Sequence, residues 1–121
     1  MVSGVSPPRA SMDAVEEALL RDQPIELQDL VLDVALEFDD GDWAEHCCAR
    51  LAKHRNAVVR GNAIVGLGHL ARRFGRLNER RVKRLVEIAL FDRNEYVRDQ
   101  ALSAADDIET FLGWSFDRPF D

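Results

Sequence analysis

Cysteine and histidine are the residues from which chemistry is most readily built, and this chain has two of the first and three of the second. Cys47 and Cys48 are adjacent, with His46 before them and His54 further along. Side chains next to each other on a helix point about 100° apart, which does not suit a disulfide. The pair reads either as structural thiols in a reducing compartment or as part of a metal site with His46 and His54. No second Cys or His pair completes a ligand set, so no metal is expected. Asp39, Asp40 and Asp42 suggest calcium, but the EF-hand spacing and its closing glutamate are missing, and helix capping explains them better. Gly61, Gly66 and Gly68 lie within a helical pattern, where they serve close helix approach rather than a phosphate loop. No Ser, Cys or His stands at a spacing that supplies a nucleophile and its base. The expectation is a binding protein, not an enzyme, with no cofactor.

Charge carries more information. The 121 residues have a net charge of −6, but its distribution is uneven. Residues 1–56 hold 12 acids against 5 bases, residues 57–91 hold 2 against 8, and residues 92–121 hold 8 against 3. The basic segment centres on Arg72, Arg73, Arg76, Arg80, Arg81, Lys83 and Arg84, interrupted by Glu79. Such a cluster either contacts phosphates or pairs with acids of its own fold. The only aromatic interleaved with it is Phe74 and the chain as a whole is acidic, so internal pairing is favoured and nucleic acid is the rival.

The elements that position these residues all read as helix. A chain of this length makes one domain, since domains mostly run roughly 100–150 residues. Residues 1–10 read as a disordered Ser/Pro/Gly arm without a signal-peptide core, so cytoplasm is the default. No apolar run reaches the roughly 18 residues of a membrane span. Ser11 is placed to cap a helix over 12–21, and Pro24 to start one reaching about Phe38. In the latter, Leu27, Leu30, Val31, Val34 and Phe38 share one face. Asp40 caps 41–53, Asn56 caps 57–74, Asn78 caps 79–91 and Asn94 caps 95–112. Gly75 and Gly113 end the second and fourth of these helices, and Leu77 with Val82 forms a hydrophobic staple around Asn78. No segment alternates as a strand does. Six helices are predicted.

Sliding the chain by 38 residues lays its second half on its first. Arg55-Asn56 falls on Arg93-Asn94, Val59-Arg60 on Val97-Arg98, Ala63-Ile64 on Ala101-Leu102, and Gly75 on Gly113. Cys47 and Cys48 fall on Leu85 and Val86, which makes them core residues. A weaker third copy lies 36 residues before the 57–74 helix, with Leu27, Val31, Val34, Ala35 and Phe38 on Ala63, Leu67, Leu70, Ala71 and Phe74. Recurrence of Arg60 as Arg98 points to a structural arginine bonding an adjacent helix end or acid. A repeated helix pair at this period predicts a solenoid.

The segments "NAVVRGNAIVGLGHL" and "NEYVRDQALSAADDI" resemble the second helix of HEAT repeats, over about residues 24–112. The chain departs from that pattern in Asn56 and Asn94 where Asp is usual, in lacking a Pro at these helix starts, and in its slightly short period. The tetratricopeptide repeat is the rival, but its Trp, Tyr and Pro signature is absent. With "DWAEHCC" and "ALSAADDIETFL", the chain is similar to small bacterial HEAT-like proteins, several of them regarded as immunity partners of secreted toxins. The resemblance implies an all-α, alpha-alpha superhelix of about three helical hairpins over 11–113, and a protein-binding role that blocks a toxin's active site. Some bilin lyases share this repeat, yet no residue here is specific to tetrapyrrole handling.

In such an array the second helix of each pair lines the concave side. Glu26, Asp29, Asp33 and Glu37 fall within an arc of about 80°. Carried through the repeats, this register gives Asn62, Val65, His69 and Arg73, then Gln100, Ser103, Asp107 and Phe111. The stripe is either a solvated helix face or an acidic groove for a basic protein such as a toxin domain. Phe111, Trp114, Phe116 and Phe120 gather in the last eleven residues, 111–121. They either cap the end of the core or lie exposed and bind a partner or a second copy. The expected state is a monomer or a weak homodimer through this tail of 114–121.

Overall fold

The computed structural model of the protein describes residues 8–119, which form six helices and no strand. These are α1 (Pro8–Arg21), α2 (Pro24–Glu37), α3 (Gly41–Leu51), α4 (Ala57–Phe74), α5 (Glu79–Leu90) and α6 (Glu95–Leu112). The first helix starts at Pro8, so Ser11 lies inside it rather than capping it, and the expected arm shortens accordingly. Pro suits the first turn, where an N–H has no partner to lose. Residues 1–7 of that arm lie outside the described residues.

The remaining helix starts follow their capping residues. The Asp40 carboxylate accepts the Trp43 N–H (3.0 Å) and the Asn56 side chain accepts those of Val58 and Val59. Asn78 accepts from Arg81 and Asn94 from Val97. Gln23 precedes α2 without a side-chain cap, and Pro24 fills the first turn instead. Gly75 and Gly113 end α4 and α6 at φ 70° and 75°, a backbone region costly for residues with a Cβ. Helices α3 and α5 end at Leu51 and Leu90, slightly before the positions that the sequence pattern gave.

The helices pair as α1/α2, α3/α4 and α5/α6. The second members α2, α4 and α6 pack side by side in one row, and α3 and α5 meet in a second row behind α4 and α6. The core runs between the rows as one cluster, including Leu27, Val31, Val34, Leu67, Leu70, Val86 and Ile108. Helix α4 is the centre of the molecule, packed against α2, α3, α5 and α6. Its glycines face its neighbours. A Cβ at Gly66 would meet Cys48 Sγ at 3.1 Å and Ala35 Cβ at 3.2 Å; one at Gly68 would meet the Ala104 Cα at 3.1 Å. Cys47 and Cys48 are buried in the core with free thiols, as their repeat positions predict.

Candidate interaction face

The repeat register reappears as hydrogen bonds. The Arg60 guanidinium donates from Nε and Nη2 to the two Asp92 carboxylate oxygens, both at 2.9 Å, and from Nη1 to the His54 carbonyl (3.1 Å). One repeat later the Arg98 Nη1 donates to the Asp92 carbonyl (2.8 Å). Arg60 thus bonds both an adjacent helix end and an acid. At the preceding junction the polarity is reversed, with Asp22 as the acid and His54 on the following turn. His54 Nδ1 accepts the Asn56 N–H, which assigns its proton to Nε2, and Nε2 donates to Asp22 Oδ1 (2.6 Å). Arg55 bonds the other Asp22 oxygen (2.7 Å). These bonds with Arg55 and His54 hold the Asp22 carboxyl below its ordinary range.

With α2, α4 and α6 abreast, the faces of these helices turned away from the core form one open surface. Asp29 and Asp33 are exposed on it and make no ion pair among the described residues. Ile25 (79% exposed) and Leu36 stand beside them. On α4 the half-buried Val65 and His69 follow, and on α6 the exposed Ser103 and the partly buried Asp107. Burial lowers the His69 pKa, the Asp107 charge partly offsets this, and Arg72 adds to the lowering.

Several residues of the expected stripe are committed elsewhere. Glu26 is gripped by Arg21, Nη2 to Oε2 at 2.6 Å, and turned from the acidic row toward α1. Glu37 is exposed at the end of α2. Asn62 is buried, donating to the Gln28 carbonyl (3.0 Å) and accepting from the Tyr96 hydroxyl, so it ties α4 to both neighbours. Arg73 donates to the Ala35 carbonyl (2.8 Å) and lies over its own Phe74 ring. Arg72 bonds Asp107 (3.2 Å) and covers the exposed Phe111 ring. The open surface is therefore acidic and apolar on α2 and mixed on α4 and α6.

The basic segment is largely spent inside the molecule. Besides Arg72 and Arg73, Arg76 pairs with Asp42 (3.0 Å) and Arg81 with Glu45 (2.7 Å). Glu45 is buried and also accepts the Asn78 N–H that starts α5. Arg80, Lys83 and Arg84, on the outer side of α5, make no ion pair among the described residues. Sequence reasoning missed Glu45, because one carboxylate on an apolar helix face gives no sign of a partner 36 residues away.

In the tail, Phe116 is buried, Trp114 is partly buried and packed on the core, and the two rings are 6.2 Å apart. Arg118 clamps the segment to Asp106 (3.0 Å) and Glu109 (2.7 Å) of α6. Trp114 thus belongs to a cap over the end of the stack, while Phe111 remains on the open side; Phe120 lies outside the described residues.

The thiols are not poised for chemistry: burial first, then the charge of Glu16, pushes Cys47 up to about 11, with Arg50 opposing, and burial drives Cys48 well above its ordinary range. Among the described residues no group of His, Cys, Asp and Glu is placed to hold a metal ion, and no helix is long and apolar enough to cross a membrane. No family model matches the chain, and neither curated proteins nor solved structures gave a match.

Proposed function

We propose that the chain is a HEAT-like superhelix that acts as a non-enzymatic protein-binding module, its open α2–α4–α6 surface being the concave face that receives a cationic protein. The observation that carries this reading is the pairing of unneutralised acids with exposed aliphatic groups on α2: Asp29 and Asp33 beside Ile25 and Leu36. Acids without internal partners draw a cationic surface in, and exposed aliphatic side chains gain from being covered by it. The internal pairing of Arg72, Arg73, Arg76 and Arg81 supports a protein over a nucleic acid as the ligand. The resemblance to small bacterial HEAT-like proteins makes a toxin domain the partner of first choice, with the acidic face covering a basic active site in the cytoplasm.

The test is retrieval of the partner with the full chain as bait, followed by charge reversal. D29K/D33K is expected to weaken binding at least about tenfold and to slow association, while E16K/E17K on α1 leaves both unchanged. Equal binding by wild type and D29K/D33K would overturn the assignment. Tight, salt-sensitive nucleic-acid binding lost in R80E/R84E would favour the rival reading.

A further inference from the structure

The last helix pair ends the stack with a surface that, inside the molecule, is covered. Arg60 and Ile64 of α4 correspond by the 38-residue shift to Arg98 and Leu102 of α6. Within the stack, Arg60 receives the Asp92 carboxylate and Ile64 is 1% exposed. At the end of the stack, Leu102 is 41% exposed, and Arg98 makes no ion pair among the described residues, its Nη1 alone being used by the Asp92 carbonyl. The tail covers the C-terminal half of this side of α6 through Arg118, Asp106 and Glu109. The N-terminal half borders a groove of about 310 Å³, lined by Leu90, Glu95, Arg98, Asp99, Leu102 and Arg118. Glu95 and Asp99 also make no ion pair among the described residues, and Ile88 of the neighbouring α5 and Phe91 just after it are exposed.

We propose that this terminal face is a self-association surface, on which two copies of the chain pair about a two-fold axis with each Arg98 against the other copy's Asp99. The charge pattern selects this occupant. A two-fold contact must be self-complementary, and here an unpaired arginine stands next to an unpaired aspartate around an exposed leucine. The internal junction shows what that arginine position accepts, a carboxylate delivered by the next unit of the stack. The second copy supplies it, and each Leu102 is covered as Ile64 is covered within one chain. The contact leaves the α2 acids free and is independent of the partner assigned to them.

Sedimentation equilibrium of the full chain tests this. Wild type is expected to show a reversible monomer–dimer equilibrium, and R98E and D99R each to weaken it at least about tenfold. Mixing the two variants is expected to restore dimer, because the glutamate introduced in R98E then meets the arginine introduced in D99R, while Arg98 of the D99R copy meets Asp99 of the R98E copy. D99R changes an exposed side chain with no bond to lose, so its effect is separable from any loss of fold in R98E, which circular dichroism monitors. A wild type that stays monomeric at all concentrations, or a dimer unaffected by D99R, or variants that do not complement each other, would overturn the proposal.

Discussion

Arg60 and Asp92 show how one residue pair fastens successive helix pairs. Their side chains are only 18% and 13% exposed and satisfy each other with two bonds, so removing one strands the other in a poorly solvated place. Arg60→Ala is expected to lower unfolding stability by about 2 kcal/mol in chemical denaturation. Arg60→Lys should recover only part of it, since an ammonium cannot make the paired bonds. The same pair sets a pH dependence. Burial would raise the Asp92 pKa, but the Arg60 bonds, the Asn94 N–H and the nearby charges of Arg60 and Arg93 outweigh it, leaving the carboxyl below its ordinary range. A carboxylate depressed in the folded state stabilises above its unfolded pKa and loses that contribution as pH falls through the folded one. Stability should therefore decline as pH drops below about 4, and Asp92→Asn should flatten that decline while lowering stability at pH 7. An acid limb in urea titrations unchanged by Asp92→Asn would assign it to other carboxylates, Asp22 first.

At the scale of elements, α4 depends on how closely its neighbours approach. Ala63 is fully buried, and Gly66 and Gly68 admit Ala35, Cys48 and Ala104 to near contact. Ala63→Leu should overpack the junction and cost about 1–3 kcal/mol, visible as a lower thermal midpoint with helix content unchanged. A midpoint at or above that of wild type would mean the junction has slack that these distances do not show. Helix boundaries were legible in the sequence because capping chemistry is local: Asp40, Asn56, Asn78, Asn94, Gly75 and Gly113 each act within a turn of their own position. The start of α1 was not, because Pro8 and Ser11 both suit a first turn and no local feature chooses between them.

At the scale of the molecule, the repeat made the row of α2, α4 and α6 readable. What the repeat could not give was which charges remain unneutralised. Glu26, Arg73 and Arg81 are withdrawn by partners on other elements, and each such pairing depends on side-chain reach rather than on spacing along the chain. What remains unneutralised on the α2 side of the open face is the acid pair Asp29 and Asp33 with its flanking aliphatics.

The central claim, that this face receives a cationic protein, is tested most directly by amide chemical-shift mapping of the isotopically labelled chain on titration with the retrieved partner. The perturbed amides are expected to fall on Asp29, Asp33, Leu36, Val65, His69 and Ser103, with α1 and the outer side of α5 unaffected. Perturbations centred on Arg80, Lys83 and Arg84, or spread over α1 and α3 with the α2 acids silent, would contradict it.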